Sequence, residues 1–229
     1  MTEKDKNTMK AGLSKELIAL RVVKELQEGM YVNLGIGLPS LVSQFVPEDL
    51  EIVFHAENGV LGYGPVTEQQ IDSDLINAGL RPVGLRPGAS FFNHVDSFTM
   101  IRGGRLDVTI LGGYQVSEKG DLANWKTTEE KIGAVGGAMD LVCGVKKVIV
   151  AMQHTASSGA PRIVKKCTYP LTGKEVVDMI VTNLAVIDVT PEGLLLREIA
   201  PGVSATDVQA VTEPTLIVSP NLKEMELKI

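Results

Sequence analysis

A series of short, nearly continuous Val, Ile and Leu runs constrains this chain more than any other feature: Tyr31–Leu34, Glu51–His55, Leu106–Leu111, Lys147–Met152, Leu184–Val189, Leu194–Ile199 and Thr215–Val218. Several lack the polar and apolar alternation of a half-exposed strand, so they predict strands covered on both faces. Helical patterns supply the cover. From Gly12 to Gln27, residues Leu13, Leu17, Ile18, Leu20, Val22, Val23 and Leu26 fall mostly on one helical face, and the pattern ends near Gly29. Further helices are expected over Gly173–Thr182 and Ala205–Val211. Strands alternating with helices predict an α/β fold: an open three-layer-type domain with a mostly parallel central sheet, and a hairpin where Pro191-Glu192-Gly193 separates two strands. No internal repeat and no Pro/Ser/Gly linker divides the 229 residues, so a single domain over 1–229 is expected, with residues 1–11 a flexible N-terminus.

Composition removes several classes of function. At 44% hydrophobic and 22% charged the chain needs a core, and neither a collagenous nor a low-complexity reading survives. It has no 18-residue apolar run and begins with a polar stretch, so no membrane span, no signal peptide and a cytoplasmic location are expected. Cys143 and Cys167 lack metal or disulfide spacing and fit a reducing compartment. The 22 Lys and Arg against 28 Asp and Glu give a net charge of -6, which excludes a nucleic-acid partner that needs a basic face. A local basic pocket for one phosphorylated ligand stays open.

Two segments invite chemistry. Gly35-Ile36-Gly37-Leu38-Pro39 follows a strand and precedes a helix, where backbone can approach a ligand closely and present free N–H groups. It lacks the third glycine of a dinucleotide fingerprint and the Gly-Lys-Ser/Thr of a P-loop, so a tight strand-to-helix turn is the equal alternative. The run from His55 to Pro65 starts at the carboxyl end of a buried strand, where open α/β sheets place their ligand crevices. Its glycines and proline predict an irregular loop around Glu57 and Asn58. A carboxylate there can serve as general base, nucleophile or metal ligand, or simply cap a helix or pair with an arginine. The metal reading is the poorest, because His55, His94 and His154 are scattered, so no metal site is expected.

Ordered motifs then narrow the choice. Val32-Asn33-Leu34-Gly35-Ile36-Gly37-Leu38-Pro39, Glu57-Asn58-Gly59 with Leu61-Gly62-x-Gly64-Pro65, Ile76-Asn77-Ala78-Gly79, Ser97-Phe98-x-Met100-Ile101-Arg102-Gly103-Gly104, Gly120-Asp121-Leu122-Ala123-Asn124-Trp125, Gly136-Gly137-Ala138-Met139-Asp140-Leu141-Val142 and Lys166-Cys167-Thr168-x-Pro170-Leu171-Thr172 run nearly end to end. Together they resemble the B (β) subunit of class I coenzyme A-transferases, the acetate, butyrate and 3-oxoacid group. The resemblance implies that Glu57 is the nucleophile, carrying first an acyl group as an anhydride and then CoA as a thioester. It also implies acyl-CoA and short carboxylic acids as substrates, no permanently bound cofactor, and an A (α) subunit partner in a heterotetramer, with the site where the A and B parts meet. The oxyanions of such acyl transfer call for backbone N–H donors, worth about 3 kcal/mol each.

Gly136 and Gly137 are the first candidates for that role, with a plain turn opening the helix Ala138–Cys143 as the equal alternative; Gly35, Gly37 and Gly59 are candidates for lining the crevice. Asn58 is a candidate for orienting Glu57 or contacting substrate, although Asn beside Gly also suits a turn. Trp125 reads as a packing anchor, Arg102 and Arg105 as structural or solvated, and Cys143 and Cys167 as buried small hydrophobes. Where the family often has a Pro-Gly-Lys-Met-like approach to the Gly-Gly-Ala-Met segment, residues 126–133 here read Lys-Thr-Thr-Glu-Glu-Lys-Ile-Gly, a departure that bears on acceptor choice. An acyl-CoA hydrolase using the same glutamate, and a non-catalytic ligand-binding α/β domain, are the competing functions.

Overall fold

The computed structural model describes residues 12–66, 71–128 and 133–228; the N-terminus expected to be flexible, 1–11, lies outside them, as do 129–132 of the divergent approach segment. The first helix, α1 (Lys15–Val23), starts where the Ser14 side chain accepts from Leu17 N–H, with Glu16 in its first turn and Arg21 in its last, both favourable to the helix dipole. It is shorter than the expected 12–27. Leu13 N–H is taken by Asn183 O at 2.8 Å, and beyond Val23 the bonds tighten to a three-residue spacing, Lys24 to Arg21 and Glu25 to Val22. Strand β1 (Tyr31–Leu34) follows as expected, and the glycine turn then leads into a short 3-10 helix, Pro39–Gln44.

The remaining strands of the main sheet are β2 (Val53–Ala56), β3 (Val60–Gly64), β4 (Gly84–Phe91), β5 (Val108–Leu111), with the small strands β6 (Gln115–Ser117) and β7 (Leu122–Ala123) set apart from it; then β8 (Lys147–Met152), small β9 (Ile163–Val164), β10 (Met179–Thr182), β11 (Ala185–Thr190), β12 (Gly193–Ile199) and β13 (Ile217–Glu224). Together with β1, nine of them form one ten-stranded sheet in the order β13-β12-β11-β10-β8-β5-β1-β2-β3-β4. The contiguous block β10-β8-β5-β1-β2 is parallel throughout, and antiparallel pairs flank it, including the expected β11–β12 hairpin. The mostly parallel α/β fold is therefore present.

Alternate residues of the central strands feed two cores. On β8, Ile149 and Ala151 join Ile18, Val22 and Val23 of α1, while Val148, Val150 and Met152 join residues of the opposite face. That opposite face is covered by α2 (His94–Arg102), α3 (Ala138–Gly144), α4 (Ala205–Ala210) and the small sheet β7-β6-β9. Two covered faces explain why these strands lack alternation. Arg21 is buried with Glu198 (2.6 Å) and Glu25 (2.9 Å) in an ion-paired network that Arg197 and Lys147 extend.

Two expectations fail for physical reasons. The 57–65 segment is not an irregular loop: Ala56–Gly59 forms a tight turn and Val60–Gly64 is a strand between β2 and β4. Gly62, at φ +78°, falls where the β3–β4 register shifts, so a bulge absorbs the glycine that composition counted against a strand. Residues 173–182 are not a helix. Thr172, Val176 and Val177 give their N–H groups to Leu122 O and Gly120 O, and 179–182 then form a strand buried on both faces beside β8.

Candidate active site

Strand order reverses at β1. From it the chain goes one way to β2 and the other way through β5, β8 and β10, which makes the carboxyl ends of β1 and β5 the switch point where an open α/β sheet forms a crevice. A cleft of about 600 Å³ occupies that place, lined by Gly35 after β1, Gly112 and Gly113 after β5, Gln153 after β8, and Glu57 after β2. A second cleft of about 550 Å³ lies beyond it, lined by His94, Val95, Phe98 and Arg102 of α2, by Asp140 of α3, and again by Glu57. Glu57, Gly136 and Gly137 belong to both clefts and form the partition between them.

Glu57 is half-buried immediately after β2. Burial pushes its carboxyl above the ordinary carboxylate range; the Gly137 N–H bonded to it and nearby His94 pull the other way, and the Asp140 charge adds to the rise. Gly137 is the N-cap of α3, a helix start with no side-chain cap, and its backbone N–H is the group that favours the charged Glu57 carboxylate. A Cβ at 137 would stand 2.6 Å from Glu57 Oε2, so any side chain there would push the carboxylate from its place. The absence of a Cβ at 137 leaves the carboxylate room beside the start of α3. The arrangement supplies a nucleophile or base in a partly desolvated crevice and a backbone donor beside it.

The other expected site residues divide. Gly35 and Gly136 line the clefts with Glu57, whereas Gly37 and Gly59 stand outside them: Gly37 accepts from Ser40 Oγ at 2.7 Å, and Gly59 closes the turn after Glu57. Asn58 is exposed, and its side chain donates to Ile76 O at 2.7 Å, fastening the glutamate loop to the Ile76-Asn77-Ala78-Gly79 segment. Trp125 is half-buried and donates to Leu171 O, and Asn124 exchanges bonds with Thr172, so two of the sequence motifs dock on each other. Cys167 is half-buried and its thiol is pushed up to about 11, chiefly by burial, which fits the inert role. Cys143 is a correction: expected buried, it is exposed on α3, because that helix turns only Leu141 and Val142 into the core. Arg102 is both structural and at the site, donating to Asp140 at 2.6 Å while facing the second cleft.

Sequence reasoning missed α2 as a wall of the site. Its signals were present: Asn93 caps the helix by accepting from Asp96 N–H, and Val95, Phe98 and Ile101 recur at helical spacing. Among the described residues no group of three or more His, Cys, Asp or Glu side chains is arranged to hold a metal ion, and no helix is long and apolar enough to cross a membrane.

Comparison with known proteins bears on this geometry. The family model for coenzyme A transferase matches residues 15–211. The chain is 52% identical over 200 residues to the B subunit of the succinyl-CoA:3-ketoacid coenzyme A transferase of Helicobacter pylori, covering 87% of this chain and 96% of that protein. It is 50% identical over 212 residues to the B subunit of the 3-oxoadipate CoA-transferase of Pseudomonas putida, covering 92% and 99%. It spans less than half, 42%, of the mouse mitochondrial succinyl-CoA:3-ketoacid coenzyme A transferases it also matches. The fold resembles that of an acyl-CoA transferase apoenzyme from Escherichia coli O157:H7, with a TM-score of 0.77 at 24% identity over 93% of this chain and 43% of that one.

Proposed function

We propose, from the premise that this chain belongs to the coenzyme A transferase family, that it is the glutamate-bearing half of an enzyme moving CoA between a short acyl or 3-oxoacyl thioester and a carboxylic acid. One observation carries the reading: Glu57 borders the cleft at the sheet's switch point, with the Gly137 N–H beside its carboxylate and a second cleft on its other side. In the proposed reaction the Glu57 carboxylate attacks the acyl-CoA carbonyl. The tetrahedral oxyanion collapses to an acyl-glutamyl anhydride and releases CoA thiolate. The thiolate then attacks the glutamyl carbonyl, the donor acid leaves as its carboxylate, and Glu57 holds CoA as a thioester. The acceptor acid reverses both steps. Gly137 N–H is the candidate oxyanion donor, worth about 3 kcal/mol in comparable sites, and Gly136 shapes its approach. The chemistry uses CoA thioesters as substrates and calls on no resident cofactor.

The names of the bacterial relatives support two finer readings: a succinyl-CoA and 3-oxoacid substrate pair, and an A (α) subunit that completes the site. The assembly proposed is a heterotetramer in the cytoplasm. A CoA ligand with several phosphate charges on a chain of net charge -6 supports the partner as a source of basic groups. The test is an acceptor panel run with the α subunit present. Transfer should require a carboxylic acid acceptor, with 3-oxoacids or succinate preferred. Release of free CoA at the same rate without an acceptor would mean hydrolysis instead.

A further inference from the structure

Helix α2 supplies no reacting group, yet it is bonded to the strand that leads to Glu57 and to the helix that Gly137 opens. His55 sits on β2 two residues before Glu57, fully buried, with both ring nitrogens engaged. Asn33 Nδ2 lies 3.3 Å from His55 O and 3.2 Å from His55 Nδ1, while Asn33 Oδ1 accepts from Thr109 Oγ1. With Asn33 Nδ2 assigned as the donor to His55 O, its second hydrogen meets Nδ1 as acceptor, which places the ring proton on Nε2. That proton points at Ser97 Oγ, 3.0 Å away and fully buried on α2. The ring is neutral, since burial lowers its pKa to about 4, and it stacks on Phe92 at 5.8 Å. One arm therefore runs Thr109–Asn33–His55–Ser97, from β5 through β1 and β2 into α2.

The other end of α2 reaches the donor. Phe98 lies against Gly137, where an added Cβ would stand 3.0 Å from its ring. At the last residue of the helix, Arg102 Nε donates to Asp140 Oδ1 at 2.6 Å, and Asp140 is in the first turn of α3, which Gly137 opens. The nucleophile rides on a strand and the donor on a helix start of another layer, and α2 is bonded to both.

We propose that α2 is a brace that sets the separation between the Glu57 carboxylate and the Gly137 N–H, with His55 and Ser97, and Arg102 and Asp140, as positioning residues for acylation. The proposal rests on Glu57 being the acyl carrier. The two arms differ in a useful way. The Arg102 side chain is 66% exposed, so its ion pair adds little to stability, and because it also lines the second cleft, a kinetic defect with KM unchanged is the one that reports position.

The experiment uses the assembled transferase, mixed with acyl-CoA and quenched on the millisecond scale to follow CoA thioester on Glu57. Ser97→Ala and Arg102→Gln should each slow thioester formation about tenfold or more, because small misplacements of reacting groups cost that much. The KM for acyl-CoA should stay within about twofold. Arg102→Lys, whose ammonium still meets Asp140, should recover part of the loss. Wild-type rates in both variants, or a loss carried wholly by KM, would overturn the brace. If Ser97→Ala does not fold, Arg102→Gln decides alone. Absence of any Glu57 thioester in the wild type would contradict the acyl-carrier reading itself.

Discussion

The five parallel strands at the centre of the sheet and the β3–β4–α2 flank beside them meet at Glu57, and they are built on opposite principles. Central β5 and β10 are buried at every residue, and Val108, Ile110, Ile149 and Ile180 are almost completely inaccessible. On the flank, β4 has no fully buried residue, and Phe91 and Val95 are 59% and 72% exposed. Ile36, which lines the larger cleft, and Leu80 are 74% and 78% exposed. The centre holds itself together, whereas the flank leaves apolar side chains exposed. Glu57 follows the last central strand and precedes the first flanking one, so a rigid scaffold places its carboxylate and a less enclosed one shapes the cleft around it.

The contrast breaks first if the centre is no more costly to perturb than the flank. Ile149→Ala, which empties a fully buried site on β8, should destabilise the chain by about 2–5 kcal/mol in denaturant titration. A cost below about 1 kcal/mol would mean that the centre is not the close-packed layer described. Next comes the seam. Gly137→Ala should cost about 2.7–4 kcal/mol in transition-state stabilisation, read as a hundredfold or greater fall in kcat with little change in melting temperature. Its Cβ would displace the Glu57 carboxylate and move the N–H with it.

A smaller effect sharpens the electrostatics of the same seam. Attack requires Glu57 as carboxylate, and its pKa is raised in the folded protein, chiefly by burial, so single-turnover acylation should fall on acidification with a midpoint above the usual carboxylate range. Asp140 adds to that rise, so Asp140→Asn should move the midpoint to lower pH; a midpoint that moves up would reverse the assigned sign. Smallest of all, Val95→Ser on the flank should change the stability of the isolated chain by no more than about 0.5 kcal/mol. The same change should weaken assembly with an α subunit, measured by the concentration dependence of complex formation.

The same contrast decided what the sequence could reveal. Lys147–Met152 was legible to the residue, because a strand packed on both faces has to be a continuous apolar run. The β11–β12 hairpin was legible from Pro191-Glu192-Gly193. Residues 60–64 and 84–91 were not, because their glycines and exposed polar positions match a loop, and the bulge at Gly62 that reconciles them with a strand depends on the partner strand. Residues 173–182 misled in the other direction: their apolar spacing suits a helix, and only the backbone of Gly120 and Leu122, distant in sequence, claims their N–H groups. Of the site, the chain position of Glu57 at a strand end was readable. The meeting of Glu57 with Gly137, the wall formed by α2 and the diversion of Asn58 to Ile76 were not, since each joins segments with no shared sequence pattern.

The central claim is that Glu57 carries the transferred group. Incubating the assembled enzyme with acyl-CoA, trapping with borohydride or hydroxylamine, and mapping the product by peptide mass spectrometry tests it most directly. The account predicts modification at Glu57 alone, dependent on acyl-CoA, and loss of both label and turnover in Glu57→Ala with the fold retained. Label at another residue, or a Glu57→Ala enzyme that keeps substantial turnover, would contradict it.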